Sequence, residues 1–199
     1  MSETTGTAPP SPVRSSSWRW LRDLLVVVLV ALLVSWGVRT WLVRSFSIPS
    51  GSMRQTLTVG DRVLVDELAP GLVDLHRGDV VVFADPGGWL QAGEGDDLVK
   101  RVVGLPGDTV SCCDAHGRLL VDGEPLDEPY LADPSGPASS TPFRVTVPEG
   151  ALWVMGDDRE HSADSRAHRS GPYEGFVPLD HVVGRAFAVV WPVSRWSGL

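Results

Sequence analysis

The chain has 199 residues, 21% of them charged and 43% hydrophobic, and a formal net charge of -8 at pH 7. That length supplies one or two domains with a real core, and the acidic balance argues against a nucleic-acid binder, which would present a basic face. The two cysteines, Cys112 and Cys113, are adjacent; neighbours make a strained bridge and two Cys make no zinc site or disulfide framework, so two thiols are expected.

In chain order, residues 1–17 are rich in Ser, Thr, Pro and Gly and read as a disordered tail. Leu24 to Val38 is then fifteen residues without a charge, and after Arg39 and Thr40 the apolar run resumes through Trp41-Leu42-Val43. An arginine near a helix end can snorkel, so Leu24 to Val43 spans roughly 20 residues, about one bilayer. Trp18, Trp20, Trp36 and Trp41 lie toward its ends, where interfacial aromatics belong. We read 18–43 as an uncleaved transmembrane anchor. The rival is a cleaved secretory signal ending at the small-x-small triplet Ser35-Trp36-Gly37, but that triplet is followed by more apolar sequence. Arg14, Arg19 and Arg22 precede the span and Arg39, Arg44 and Arg54 follow it, so the charge rule leaves its orientation nearly tied.

Beyond the span no helix is expected. Short β-branched or alternating runs recur at Arg62–Val65, Asp79–Phe83, Arg118–Val121, Phe143–Val147, Leu152–Met155 and Ala186–Trp191. Turn signals separate them, among them Asp85-Pro86-Gly87-Gly88, Leu105-Pro106-Gly107-Asp108 and Val121-Asp122-Gly123. The pattern predicts an all-β, partly barrelled body of antiparallel strands over 44–199, preceded by one N-terminal transmembrane helix.

Three segments carry candidate chemistry. Just after the apolar run, Pro49 and Gly51 fix a tight bend that presents Ser52 beside a residue without a side chain. A serine hydroxyl is a weak nucleophile without a base. The chain holds sixteen arginines and one lysine, Lys100, set among Leu98, Val99, Val102 and Val103. Arginine cannot lose its proton in a protein, whereas a desolvated lysine can become a neutral base. The third segment runs from Gly156-Asp157-Asp158-Arg159 through His161 to Asp164 and His168. Its His161 could complete a Ser-His-Asp set, or join its neighbours around a metal, although the spacing matches no metal motif.

Pro49-Ser50-Gly51-Ser52-Met53, Lys100-Arg101-Val102-Val103-Gly104-Leu105-Pro106-Gly107-Asp108, and Gly156-Asp157-Asp158-Arg159 through Ser162-x-Asp164-Ser165-Arg166 together resemble the ordered boxes of type I bacterial signal peptidases. Arg77-Gly78-Asp79-Val80-Val81-Val82-Phe83 and Val183-Gly184-Arg185-Ala186-Phe187 resemble that family too. The resemblance implies a serine endopeptidase that removes N-terminal signal peptides at A-x-A sites, with Ser52 as nucleophile and Lys100 as general base. It further implies that Ser50 helps form the oxyanion hole, that Ser162 orients the lysine amine, and that Asp164 and Arg166 form a supporting ion pair. Phe46, Ile48, Pro49, Met53, Leu57, Leu98 and Val99 fall where the family binds substrate.

The implied partners are signal-peptide-bearing preproteins and membrane lipid, with no nucleic acid, metal or cofactor. The implied topology is a cytoplasmic tail over 1–17, an anchor over 18–43 in the cytoplasmic membrane, and an extracytoplasmic catalytic domain over 44–199 with a small inserted β cap over 105–148. The family's Gly-Asp-Asn-Arg is Gly156-Asp157-Asp158-Arg159 here, an amide replaced by a carboxylate; a new ion pair with Arg159 and an altered oxyanion region are both open. Two rival readings remain: a self-cleaving Ser–Lys regulatory protease, against which the anchor argues, and an inactive membrane-tethered β module that binds signal sequences or envelope partners.

Overall fold

The computed structural model describes residues 17–41, 43–91, 95–131, 133 and 136–199. All but the last residue of the expected disordered tail lies outside them. The chain divides after Arg39 into two units. The first is formed around α1 (Ser17–Trp41). Its side chains are described from Trp18 to Ser35, and the leucines and valines among them are exposed. That stretch also holds Arg19, Arg22 and Asp23. Among the described residues no helix is long and apolar enough to cross a membrane, so the expected spanning helix is not established by the fold.

The second unit has no α-helix of its own among the described residues: its regular structure is antiparallel strands and two single 3₁₀ turns, Leu179–His181 and Val193–Arg195. Its strands begin with β1 (Val43–Ser47), β2 (Arg62–Asp66), β3 (Val80–Ala84) and β4 (Asp97–Gly104). A shorter group follows: β5 (Thr109–Cys112), β6 (Leu119–Val121), β7 (Glu124–Pro125) and β8 (Phe143–Thr146). The chain closes with β9 (Ala151–Met155), β10 (Val177–Pro178), β11 (Val182–Trp191) and β12 (Ser197–Gly198). Eight strands form a large sheet in the order β1-β2-β11-β3-β4-β9-β10, with β12 beside β11. The other four form a small sheet, β7-β6-β5-β8, that lies within 105–148. The expected mostly-β architecture is therefore present.

The period of two explains how the sheet organises its cores. On β3, Val80 and Val82 join Ile48, Met53, Leu57 and Val63 in one apolar cluster, while Val81 and Phe83 join Leu98, Val102 and Leu152 in another. A central strand with a core on each face has to be apolar throughout, as Val80-Val81-Val82-Phe83 is. A third cluster fastens the small sheet to β9 through Val110, Leu119, Phe143 and Trp153. Gly104 sits where the two sheets meet. A Cβ there would stand 2.7 Å from Val110 Cγ2 and 2.9 Å from Val147 Cγ2, so the crossing needs a residue without a side chain.

The structure adds strands to those expected. β4 escaped the sequence pattern because Lys100 and Arg101 interrupt its apolar run, yet both are buried within it. β1 escaped because Val43-Arg44-Ser45-Phe46-Ser47 is half polar; it pairs with β2 along all five residues. The cysteines correct another expectation. Cys112 and Cys113 are bonded to each other at the end of β5, packed against the small sheet's core. The strain expected between neighbours does not keep the two sulfurs apart.

Candidate active site

The segment after β1 is pinned at both ends before it presents a hydroxyl. Ile48 N–H donates to the Asp61 carbonyl at 2.9 Å, and Gly60 N–H donates to the Ile48 carbonyl at 2.9 Å. Asp61 in turn accepts from Arg195 Nε at 3.0 Å and from Thr58 N–H at 2.8 Å. Met53 and Leu57 are buried in the core, and Leu57 N–H closes a turn on the Met53 carbonyl at 2.7 Å. Between these anchors Ser52 is held with 7% of its surface exposed.

Lys100 reaches Ser52 from β4. Its Nζ donates to Ser52 Oγ at 2.7 Å, and the residue is 4% exposed. Burial disfavours the ammonium and lowers its pKa to about 8, although the carboxylates of Asp164 and Asp157 pull the other way. A neutral amine at this distance can take the Ser52 proton during attack on a carbonyl. Ser50 Oγ lies 3.4 Å from Ser52 Oγ, close enough for a hydroxyl donor to serve the same reacting carbonyl.

The segment following β9 supports the pair from below. Gly156 is wedged between the Ser52 carbonyl and Ser162 Oγ, both of which a Cβ would strike. Asp158 N–H donates to the Ser52 carbonyl at 3.1 Å. Asp164 is fully buried; burial pushes its carboxyl up, but a two-point pair with Arg166 at 2.8 Å and the Gly156 N–H outweigh that and hold it below the usual range. Ser162 Oγ is buried without a well-formed hydrogen bond among the described residues, though it lies near enough to Asp164 to help lower that carboxyl. No bond joins it to Lys100.

A cleft of about 530 Å³ opens over Ser52. Ile48, Pro49, Ser50 and Met53 line one side, and Leu98 and Val99 of β4 line another. Phe46 and Leu57, the other two residues expected at the substrate, pack instead against or within the core cluster of Val63, Val65 and Val82.

Arg54, Trp89, Leu90, Asp97 and Ala163 also line the cleft and were not expected there, while His161, weighed as a base or a metal ligand, stands on its wall. Trp89 follows a turn recognised only as a turn. The Asp85 carboxylate accepts the N–H groups of Gly87, Gly88, Trp89 and Leu90, and His168 stacks on the Trp89 ring at 4.3 Å. Asp97 opens β4; burial and the neighbouring Asp96 raise its carboxyl, against the pull of Arg44.

The remaining buried charges are paired. Arg101 donates through Nε and Nη2 to Asp157 at 2.8 and 2.6 Å, donates to Thr56 Oγ1 at 3.0 Å, and lies 3.9 Å from the centre of the Tyr130 ring. Arg159 pairs with Glu128 rather than with Asp158. Asp158 faces His161 instead, 2.8 Å from its Nδ1.

The fold and this site define a β-sheet protein with a hydroxyl and an amine paired beside a largely apolar cleft. The family model for signal peptidase, peptidase S26, matches residues 19–191. Signal peptidase I of Mycobacterium tuberculosis is 38% identical over 98% of this chain and 80% of its own length. The probable signal peptidase I-1 of a Synechocystis species is 35% identical over 95% of this chain and 91% of its own. A crystal structure of a signal peptidase I from Enterococcus faecalis is 32% identical, covering 56% of this chain and 95% of that one, with a TM-score of 0.43. The chain belongs to the signal peptidase family, peptidase S26, and is a hydrolase of the signal peptidase type.

Proposed function

We propose that this chain is a membrane-anchored serine endopeptidase that cuts N-terminal signal peptides from exported preproteins with a Ser52–Lys100 dyad. The observation that carries the reading is the 2.7 Å approach of Lys100 Nζ to Ser52 Oγ in a site that depresses the lysine to about 8. Neutral Lys100 accepts the Ser52 proton as Oγ attacks the scissile carbonyl. The resulting ammonium returns that proton to the leaving amine, and the base, neutral again, takes a proton from the water that hydrolyses the ester. The Ser52 N–H and the Ser50 hydroxyl serve the tetrahedral oxyanion; loss of one such donor costs about 10²–10³ in rate. Asp164 and Arg166 form the supporting ion pair, with Ser162 beside that carboxylate.

The apolar walls at Ile48, Pro49, Met53, Leu98 and Val99 suit the small residues of an A-x-A site, taken up as an added strand along β4. The uncharged run Leu24–Val38 supports an anchor over 18–43. With residues 1–17 inside, 44–199 would work outside the cytoplasmic membrane, 105–148 forming the cap and membrane lipid lying at hand. Ser52 is only the ninth residue after Val43, so the reach from the bilayer is at most about 30 Å.

The test incubates the full chain in detergent with one preprotein and locates the cut by mass spectrometry. Cleavage after an A-x-A site, lost in folded Ser52→Ala and Lys100→Arg, is the expected result. A folded Lys100→Arg protein that cuts at a tenth of the wild-type rate removes Lys100 from the mechanism.

A further inference from the structure

The cleft is not apolar all the way round. Arg54 comes two residues after Ser52, and its N–H closes a turn on the Gly51 carbonyl at 3.0 Å. Its side chain folds back over that turn, so that a Cβ on Gly51 would lie 2.9 Å from Arg54 Nε. His161 stands on the same wall. Both side chains are about two-thirds exposed, Arg54 at 66% and His161 at 68%. Neither is a buried structural charge.

Asp158 ties these two groups to the nucleophile. Its backbone N–H holds the Ser52 carbonyl, one carboxylate oxygen lies 2.8 Å from His161 Nδ1, and the other lies 3.9 Å from Arg54 Nη1. The longer distance is an ion pair without a hydrogen bond. Among the described residues the Arg54 guanidinium donates no hydrogen bond within the protein, and the residue lines the cleft, so its planar fork of donors is available to a ligand there. A guanidinium keeps its charge at every working pH and matches a carboxylate in two-point geometry.

The other charge on the cleft, Asp97, lies three residues before Lys100 on β4, about 10 Å along the strand. The cleft therefore has an acidic side remote from the nucleophile and a basic rim beside it. Glu160, next to His161, is exposed and lines no part of the cleft among the described residues.

We propose that Arg54, held by Asp158 together with His161, is a specificity-determining residue that recognises a carboxylate on the substrate just beyond the scissile bond. The inference rests on the reading that the cleft takes the peptide to be cut. If the A-x-A segment lies along Leu98 and Val99, the rim at Ser52 faces the first residues of the released chain. Asp158 acts as a positioning residue. It stands beside both side chains, and its own charge partly offsets that of Arg54.

The test uses the full chain in detergent micelles at low salt. Peptides share one A-x-A site and differ only in carrying Glu or Lys at the first or second residue after it. An exposed pair of this kind favours the Glu peptide in kcat/KM by about threefold to fivefold, and added salt shrinks the preference. Arg54→Gln brings the ratio close to one. Asp158→Asn, which keeps a polar group beside His161 but removes the opposing charge, raises the ratio, a direction that mere loss of structure would not produce. Equal cleavage of the Glu and Lys peptides by the wild type, or a preference unchanged in Arg54→Gln, overturns the rim and leaves the dyad standing. Failure of the wild type to cut any of the peptides overturns both.

Discussion

The two faces of β4 treat a buried cation in opposite ways. Lys100 and Arg101 are neighbours, so their side chains leave the strand on opposite sides, Lys100 across from Val81 and Arg101 across from Val80. Arg101 keeps its charge and is surrounded by partners: both oxygens of Asp157, Thr56 Oγ1, the Gly78 carbonyl and the Tyr130 ring. Lys100 forms a hydrogen bond with a hydroxyl and pairs with no carboxylate among the described residues, and burial shifts it toward the neutral form instead. A charge that must stay is paired, and a charge that must leave is isolated. Of the two cations only lysine is able to lose its proton, and Lys100 is the one lysine beside sixteen arginines.

The largest way to break this comparison is to make the two sides alike. Lys100→Arg places a permanent charge where the proposed mechanism needs a base, and peptide cleavage should fall by at least about 10²–10⁴-fold, the usual contribution of general-base catalysis. Steady-state kinetics on the folded variant checks it. Removing the partner on the other side should act on stability. Asp157 is fully buried, so Asp157→Ala strands the Arg101 charge and should cost about 3–5 kcal/mol in chemical denaturation. Thr56 belongs to the nucleophile segment and also contacts Asp157, so activity should fall with it.

A smaller effect of opposite sign sharpens the contrast. Depressing a lysine from 10.5 to about 8 corresponds to about 3 kcal/mol of cost to the folded state while the group remains charged. Lys100→Met, which fills the same slot without a charge, should therefore stabilise the protein by roughly 2–3 kcal/mol at neutral pH while abolishing cleavage. The sign follows from proton binding. Between about 8 and 10.5 the unfolded chain holds the lysine proton that the folded chain has released, so wild-type stability gains on that of Lys100→Met as pH rises through this window. Paired denaturation curves at the two ends of the window check it.

Much of this contrast was legible in the sequence. The lone lysine among branched aliphatics, the serine beside Gly51 and the short β runs were all readable as pattern. β4 itself was not, because the two charges that matter most break the alternation that marks a strand. The walls of the cleft were harder still. Trp89 is placed by an Asp85 carboxylate gathering four backbone N–H groups, a local arrangement that reads from sequence only as a turn. Arg159 and Glu128 are 31 residues apart and meet only because the small sheet folds back on the large one, so the sequence left Arg159 open to its neighbour Asp158. Phe46 and Leu57, which motif position alone assigned to substrate, lie against the core because the nucleophile segment needs apolar anchors of its own.

The most direct test of the central claim exploits the composition. With one lysine in 199 residues, isotopic labelling of lysine side chains gives a single ε-position signal, whose NMR shift can be followed against pH in the full chain in micelles. Lys100 should titrate with a midpoint at about 8, coinciding with the midpoint at which kcat/KM rises with pH. A midpoint near the ordinary 10.5, in a protein that still cleaves its substrate at neutral pH, would contradict it.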